Sequence, residues 1–384
     1  MTSDGDTVPE PLAGLPQTST RDPDATRGAL EAWLATALPA GAEPTVTSLD
    51  APSTNGMSSE TVLLDASWND DGVRREHALV VRIAPDPANV PVFPEYDLDR
   101  QAQTMRVVRE HCDVPIPKVL WSERDPSVLG SPFFVMERIN GIVPPDILPY
   151  NMVSWVTEAS PDELRRMQDA TVSALARLHR IDRPEERFAF LPGADGDRSP
   201  LTRHVDEQRE YYEWVVADGG RSPLIERSFE WLDAHWPAEE GPTVLSWGDS
   251  RIGNVLYRDF APVAVLDWEM ASLGPAELDV GWLITLHAFF EDVATTYGLP
   301  GLPDFLRCDD VVATYESLTG YAPRDLDFYN AYASTRHAII MSRIGRRAMH
   351  FGEAEMPADI DDLIPHRAML ERMLAGDSGR AAGA

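Results

Sequence analysis

The chain has 384 residues, of which 43% are hydrophobic and 25% are charged, a composition typical of a globular protein with room for two lobes. Its 63 acidic and 33 basic residues give a formal net charge of −30. This charge argues against nucleic acid and against an anionic membrane surface as partners, because both are bound through clusters of lysine and arginine, and it slightly favours a cationic partner.

The other whole-chain features indicate a cytoplasmic protein. Only Cys112 and Cys308 are present, far apart in sequence, so we expect free thiols and no disulfide framework. Residues 1–22 are polar, lack a signal-peptide pattern and predict a disordered tail, and residues 376–384 predict a second one. The most apolar stretch, Val280–Phe290, is too short to span a bilayer.

The N-terminal third predicts one helix followed by strands. The helix begins near Asp24 as its N-cap and carries Leu30, Trp33 and Leu34 on one face. An Asp71-Gly72 pair is a hairpin signal between two of the strands. The predicted strands are Thr45–Ser48, Thr61–Trp68, His77–Ile83, Lys118–Trp121 and the run Ser131–Ile139, with a helix over Tyr96–His111 before the last two.

Beyond Pro144 the pattern becomes mainly helical. Ser160 is the expected N-cap of the first long helix, whose apolar residues recur at helical spacing. The predicted helices are Pro161–Arg180, His204–Asp218, Ser222–Trp236, Asp279–Gly298, Asp309–Thr319 and Arg324–Met349. The sequence therefore predicts an α+β protein with its strands concentrated near the N-terminus.

The stretch Val244–Trp282 contains the residues best suited to chemistry on a phosphate. Its hairpin pattern has turn residues over Arg258–Pro262, and folding it would bring Asn254 and Asp267 together at its open end. An amide oxygen and a carboxylate are ligands that Mg²⁺ accepts alongside phosphates and water. Asp249, just upstream, could orient an attacking hydroxyl and accept its proton.

These residues resemble the aminoglycoside phosphotransferase family, which includes choline-kinase-like and fructosamine-kinase-like members. The family's His-Gly-Asp-x4-Asn and Asp-Trp/Phe-Glu motifs correspond here to Trp247-Gly248-Asp249 through Asn254 and to Asp267-Trp268-Glu269. Gly274-Pro275 and Asp279 match as well, whereas Trp247 stands where the family has histidine. The resemblance implies a bilobal protein-kinase-like fold, with a small antiparallel β-sheet N-lobe over residues 23–138 and a larger, mainly helical C-lobe over residues 139–375.

The resemblance also implies an ATP-dependent transfer of phosphate to a hydroxyl of a small molecule. Asp249 would be catalytic, and Asn254 and Asp267 would hold Mg²⁺. ATP, or another nucleoside triphosphate, would be held by residues of the first hairpin tip, by an arginine at the family's lysine position and by backbone groups of the hinge. These nucleotide-binding candidates are Ser58, Ser59, Arg82, Glu137 and Ile139.

Three departures from the family pattern, at Arg82, Gln101 and Trp247, keep a second hypothesis open. Gln101 occupies the position of the glutamate that pairs with the usual lysine, and Glu95, Asp97 or Asp99 could replace it. A nucleotide-binding module with weak or no catalysis is therefore the alternative. A serine hydrolase is suggested only by Gly248-Asp249-Ser250, because Asp362 and His366 have the wrong spacing for that class. The identity of the acceptor and the oligomeric state stay open.

Overall fold

The structure, a computed structural model, describes residues 21–50, 59–86, 89–146, 148–191, 198–217 and 219–376. The disordered tails predicted over residues 1–22 and 376–384 therefore lie almost entirely outside the described residues. Ser58, at the predicted phosphate-covering hairpin tip, also lies outside them.

The N-terminal part of the described chain forms a five-stranded antiparallel sheet in the order β1-β2-β3-β5-β4. Helix α1 precedes the sheet, and helix α2 enters between β3 and β4. The bounds are α1 Pro23–Ala37, β1 Thr45–Asp50, β2 Glu60–Asp70, β3 Val73–Ile83, α2 Leu98–His111, β4 Val119–Glu123 and β5 Phe133–Glu137.

The following residues are mainly helical and carry two small antiparallel sheets, in which β6 pairs with β9 and β7 pairs with β8. The helices are α3 Pro161–Leu178, α4 Pro184–Arg187, α5 Pro200–Val215, α6 Pro223–Ala234, α7 Glu277–Thr296, α8 Cys308–Thr319, α9 Leu326–His350 and α10 Arg367–Leu374. The strands are β6 Thr243–Ser246, β7 Val255–Arg258, β8 Ala261–Val265 and β9 Ser272–Pro275. Of these helices, the sequence patterns did not predict α4 and α10.

Side chains alternate across the sheet and so decide which of them face the candidate site. Leu79, Val81 and Ile83 of β3 belong to the apolar cluster formed with α1. Val80 belongs to a second cluster, which includes residues of α2 and of the helical part. Because successive side chains of a strand point to opposite faces, Arg82 lies on the same face as Val80.

Side-chain caps explain where α1 and α3 begin. Asp22, and not Asp24, caps α1, because its side chain accepts the Ala25 N–H at 2.8 Å while Asp24 lies in the first turn. Ser160 caps α3 as predicted, and it does so in a capping box with Glu163.

The β7–β8 hairpin forms where the sequence predicts it, but its turn is shorter. Asp259 and Phe260 alone connect the strands, and both have positive φ, at 50° and 62°. Pro262 lies in β8 opposite Tyr257, at a register shift in the ladder. An irregular pair accommodates a residue without an N–H, which explains why Pro262 sits in the strand and not in the turn.

Helix α7 is buried along most of its length and packs against α9. The two backbones approach closely at Gly281, where an added Cβ would lie 3.1 Å from the Cβ of Tyr329 and 3.2 Å from its backbone oxygen. This packing fixes the start of α7, which carries Asp279 and Trp282. No helix within the described ranges is both long and apolar enough to cross a membrane.

Candidate active site

A cavity of about 460 Å³ lies between the sheet and the helical part of the chain. Its lining includes Arg82 from β3, Glu137 and Ile139 from the segment that connects the two parts, and Asn254 and Asp267 from the two ends of the β7–β8 hairpin. Five residues that the sequence analysis selected from separate stretches therefore surround one space.

The open end of the β7–β8 hairpin is closed by a backbone hydrogen bond from Leu266 N to Asn254 O, at 2.9 Å. Asn254 directly precedes β7, and Asp267 follows β8 with a left-handed backbone, φ 57°. Their convergence follows from the hairpin geometry that the sequence pattern indicated.

Asp249 is held by three side chains. Trp282 Nε1 donates to Oδ1 at 2.7 Å, and Asn254 Nδ2 donates to Oδ2 at 2.6 Å. Arg251 Nε lies 3.2 and 3.1 Å from the two carboxylate oxygens. Hydrogen bonds to a charged acceptor are stronger than those between neutral groups, so this carboxylate has a fixed orientation. Because Asn254 turns its amide nitrogen toward Asp249, its amide oxygen is available to another partner.

The charge of the Asp267 carboxylate is only partly compensated by the arginines beside it. Burial raises the pKa of this carboxyl, the neighbouring Asp249 raises it further, and Arg82 and Arg251 only partly oppose the increase. Arg82 Nη2 is 3.4 Å from Asp267 Oδ1, and Arg82 Nη1 donates to Thr61 Oγ1 at 3.0 Å. A divalent cation beside Asp267 would favour the ionised form of its carboxyl group and compensate the negative charge.

The loop that carries Asp249 is braced by Asp279 at the start of α7. Asp279 is fully buried and accepts the backbone N–H groups of Trp247 and Gly248, at 2.7 and 2.8 Å, and the Ser246 hydroxyl at 3.0 Å. His179 Nε2 lies 2.9 Å from the same carboxylate. Asp279 therefore fixes the loop backbone and does not face the cavity.

Gly248 is required by this loop. Its φ is +91°, and an added Cβ would lie 2.0 Å from the backbone oxygen of Met270. No residue with a side chain fits both conditions.

Trp247, which stands at the family's histidine position, has a structural role that sequence reasoning did not predict. Its indole Nε1 donates to the backbone oxygens of Leu266 and Asp267, at 2.8 and 3.1 Å. It thereby connects the loop of Asp249 to the segment of Asp267.

The nucleotide-side candidates are only partly brought together. Glu137 donates its N–H to Lys118 O at 3.0 Å, so only its carbonyl is left to bind a base. Ser59 is buried, is not part of the cavity lining, and its hydroxyl has no hydrogen-bond partner within the described chain.

No carboxylate of α2 takes the place that Gln101 leaves. Gln101 is buried and lines the cavity. Asp97 caps α2, and Asp99 pairs with Arg124. Within the described chain, the ion pair of Arg82 is with Asp267.

Arg251 and Asp146 are site residues that the sequence analysis missed. Arg251 donates to Asp146 as well as to Asp249, and both residues line the cavity. Although burial opposes the charge, the two carboxylates raise the pKa of Arg251. The position of Arg251, two residues after Asp249, was the available signal.

Ser250 does not have the environment of a nucleophile. Its hydroxyl is enclosed and donates to the backbone oxygen of Asp279 at 2.8 Å.

Two carboxylates near the end of α7, Glu291 and Asp292, have structural partners. Glu291 accepts from Asn151 and from the Leu302 N–H, and Asp292 pairs with Arg372.

Comparison with known proteins gives consistent matches. The family model described as "Phosphotransferase enzyme family" (APH) matches residues 60–309. A solved structure from Ralstonia eutropha, described as a "putative aminoglycoside phosphotransferase", is 23% identical, with a TM-score of 0.62 over 90% of this chain and 96% of that chain. Aminoglycoside phosphotransferase APH(4)-Ia, solved with AMP-PNP and hygromycin B, is 16% identical, with a TM-score of 0.54 over 91% and 99%. These structures confirm the predicted fold class.

The chain is also similar to part of two longer proteins. It is 27% identical over 268 residues to "Probable acyl-CoA dehydrogenase IBR3" of Arabidopsis thaliana and 27% identical over 287 residues to "Acyl-CoA dehydrogenase family member 10" of Mus musculus. The matches cover 65% and 71% of this chain but only 31% and 25% of those proteins. The chain thus spans about a third or less of the length of these relatives, and their names describe much longer proteins.

Proposed function

Because the chain belongs to the phosphotransferase enzyme family that its residues resemble, we propose that it transfers the γ-phosphate of ATP to a hydroxyl group of a small molecule. The observation that carries this proposal is the position of Asp249. Its carboxylate is oriented by Trp282 and Asn254 beside the cavity that Asn254 and Asp267 line. A fixed carboxylate next to candidate metal ligands is the arrangement that phosphoryl transfer requires.

In the proposed reaction, Asp249 accepts the proton of the acceptor hydroxyl as the oxygen attacks the γ-phosphorus. A bond forms between the acceptor oxygen and the γ-phosphorus, and the bond from that phosphorus to the oxygen bridging to the β-phosphate breaks. ADP leaves with the electron pair of the broken bond. The contribution of the protein is mainly positioning, because little covalent chemistry is required of it.

Asn254 and Asp267 fit a Mg²⁺ ion. The Asn254 amide nitrogen is bound to Asp249, which leaves its oxygen as a ligand, and the raised pKa of the Asp267 carboxyl indicates a site that favours added positive charge. When bound there, Mg²⁺ would neutralise charge on the nucleotide phosphates.

The other nucleotide contacts are proposed from position. Arg82 is close enough to Asp267 to reach phosphates beside the metal, and its fork can bind them through two nitrogens. The Glu137 carbonyl and the Ile139 backbone would bind the base. For Ser58, which lies outside the described residues, and Ser59, which does not line the cavity, donation to phosphates is proposed from the family resemblance alone. The lobe boundaries at residues 138 and 139 and the cytoplasmic location stay predictions.

The test compares the wild type with Asp249→Asn, which keeps the shape of the side chain but cannot accept a proton. Purified protein is given Mg-ATP and a panel of hydroxyl compounds, and ADP release is measured. The panel includes aminoglycosides, macrolides, amino alcohols, sugars and hydroxylated acyl-CoA thioesters, the last because of the names of the longer relatives. We expect turnover with one class and a loss of about a thousandfold or more in Asp249→Asn.

Binding of Mg-ATP, measured by calorimetry, separates this function from the alternative. Asp249→Asn is expected to bind Mg-ATP as the wild type does. Wild-type turnover retained in Asp249→Asn would contradict the assigned role. If the wild type binds Mg-ATP but no acceptor of the panel causes its consumption, the nucleotide-binding module is favoured. The presence of Gln101 and Arg82 in place of the family's residues supports that alternative.

A further inference from the structure

Arg336, in the middle of α9, is a buried cation that no carboxylate of the described residues pairs with. The residue is 2% exposed and forms no hydrogen bond or ion pair with any residue in the described part of the chain. Its Nε atom is fully enclosed and has no hydrogen-bond partner among those residues. The guanidinium instead lies over two aromatic rings, with Cζ 4.6 Å from the ring centroid of Trp282 and 5.8 Å from that of Tyr332.

This arrangement is unfavourable for the protein alone. Burial lowers the pKa of Arg336, although Asp279, Asp249 and Glu207 face it from a longer distance and oppose the decrease. None of these carboxylates forms an ion pair with it. Cation–π contacts replace only part of the hydration that a buried guanidinium loses. An anion that accepts two hydrogen bonds from the guanidinium would compensate its charge.

Arg336 lies close to the proposed catalytic residue Asp249, with Trp282 in contact with both. Trp282 lies between Arg336 and the active site, because the indole that Arg336 covers donates its N–H to Asp249. Neither Trp282 nor Arg336 lines the cavity that contains Asn254 and Asp267. Arg336 is therefore connected to Asp249 through the Trp282 ring, from outside the candidate nucleotide cavity.

Two further basic residues lie beside Trp282 and Asp249. His337 follows Arg336 on α9 and contacts the edge of Trp282, with ring centroids 6.2 Å apart. Arg251 lies against Asp249. Burial holds the pKa of His337 well below its usual value, so this imidazole adds no charge, and Arg251 is already paired with Asp146 and Asp249. Arg336 is thus the basic group beside Trp282 whose charge no ion pair among the described residues compensates.

We propose that Arg336 binds an anionic group of the acceptor, a carboxylate or a phosphate, so that the acceptor is an acidic hydroxyl compound. This inference rests on the proposed phosphotransferase function and specifies its substrate class. It differs from the expectation drawn from net charge, which favours a cationic acceptor. The guanidinium of Arg336, unpaired within the described ranges, decides the difference, because charges beyond about 10 Å are largely screened at physiological ionic strength.

The first experiment compares acceptors in matched pairs on the wild-type chain. Hydroxycarboxylic acids of increasing length are paired with their methyl esters, glycerol 3-phosphate with glycerol, and choline represents a cation. ADP release gives kcat/KM for each compound. We expect the anionic member of a pair to be preferred by about tenfold to a hundredfold, the usual contribution of a hydrogen-bonded charge. The carboxylate and phosphate pairs show which anion the site takes.

The second experiment tests Arg336 itself. Arg336→Gln should raise KM for the anionic acceptor about tenfold or more, remove the preference over the neutral analogue, and leave KM for Mg-ATP unchanged. Arg336→Lys, which keeps the charge but loses the fork, should retain part of the preference. Arg346→Gln is the matched control, because this arginine of the same helix donates to Gly220 O, away from Trp282.

A binding measurement keeps the inference testable without turnover. Anionic probes should raise the thermal unfolding midpoint of the wild type and of Arg346→Gln, but not that of Arg336→Gln, and their neutral analogues should have no effect. Equal stabilisation by both members of every pair, or an unchanged preference in Arg336→Gln, would overturn the proposal. Anion binding without ADP release from any compound would support it while contradicting the phosphotransferase function.

Discussion

The Trp282 indole is the one group through which α7 directly contacts the carboxylate of Asp249 among the described residues. Replacing it in Trp282→Phe removes that hydrogen bond and keeps an aromatic ring beneath Arg336. Since a hydrogen bond to a charged group contributes about 1.5–3 kcal/mol, and since Asn254 and Arg251 still hold Asp249, we expect kcat to fall about tenfold. Steady-state kinetics with the preferred acceptor would measure the change.

KM for Mg-ATP should stay at the wild-type value in Trp282→Phe, because Trp282 does not line the candidate nucleotide cavity. Trp231→Phe removes an indole that stacks on His235 and serves as the control, with unchanged kinetics. An unchanged kcat in Trp282→Phe would mean that the indole does not position the carboxylate.

Sequence reasoning identified the residues whose spacing is itself the signal. Asp249, Asn254 and Asp267 could be selected because a short hairpin determines their relative positions. Arg336 could not be selected, because a buried arginine and a solvent-facing one look alike within a helical pattern. The difference depends on which aromatic rings α7 and α9 bring beside it, which is a tertiary property.

At the scale of elements, prediction succeeded where the determinants are local. The Asp71-Gly72 turn joins β2 and β3 as expected, with φ of 49° and 78°, and Ser160 caps α3. It failed at Pro262, where cross-strand pairing and not turn propensity fixes the position. The packing of α7 on α9 was not predictable either, because it depends on the small size of Gly281 opposite Tyr329.

Gly281→Ala tests that packing. The added methyl would meet the Cβ and backbone of Tyr329 at 3.1–3.2 Å, tighter than ordinary contact, and backbone cannot move aside as a flexible side chain can. We expect the free energy of unfolding to fall by about 1–3 kcal/mol, as is usual for overpacking. Urea unfolding measures the loss, and a decrease in kcat should accompany it because Trp282 is the next residue.

Gly28→Ala is the matched control for this change. Gly28 is also inside a helix, α1, but an added Cβ there would meet nothing within 4 Å. Alanine is the better helix former by about 1 kcal/mol, so this variant should gain stability. If both variants became more stable, the close approach of α7 and α9 would not constrain the fold.

At the scale of the whole molecule, composition indicated the class of protein but not the distribution of its charge. The net charge of −30 says nothing of where cations lie, and the arginines Arg82, Arg251 and Arg336 all lie within or beside the candidate site. Nor could composition show that several of the nine histidines are buried. His204, His287 and His366 are all nearly inaccessible to solvent.

Burial lowers the pKa of His287 and of His366 to about 4, and it lowers that of His204 well below the usual value. Unfolded histidine has a pKa of about 6.5, so above that pH the neutral form prevails in both states. As pH falls below 6.5, the unfolded chain takes up protons first, and stability is lost until pH reaches the folded pKa. At pH 5 the loss is about 2 kcal/mol each for His287 and His366.

We therefore expect the urea midpoint of the wild type to fall steeply between pH 6.5 and 4.5. The double variant His287→Gln/His366→Gln should show a clearly smaller fall over that range, whatever its stability at pH 7, because two of the titrating groups are gone. Protonation of carboxylates also reduces the repulsion within this acidic chain, but that contribution is common to both proteins and cancels in the comparison. His235→Gln, at an exposed histidine, should follow the wild-type curve. Parallel curves for the double variant and the wild type would show that His287 and His366 are not held neutral by the fold.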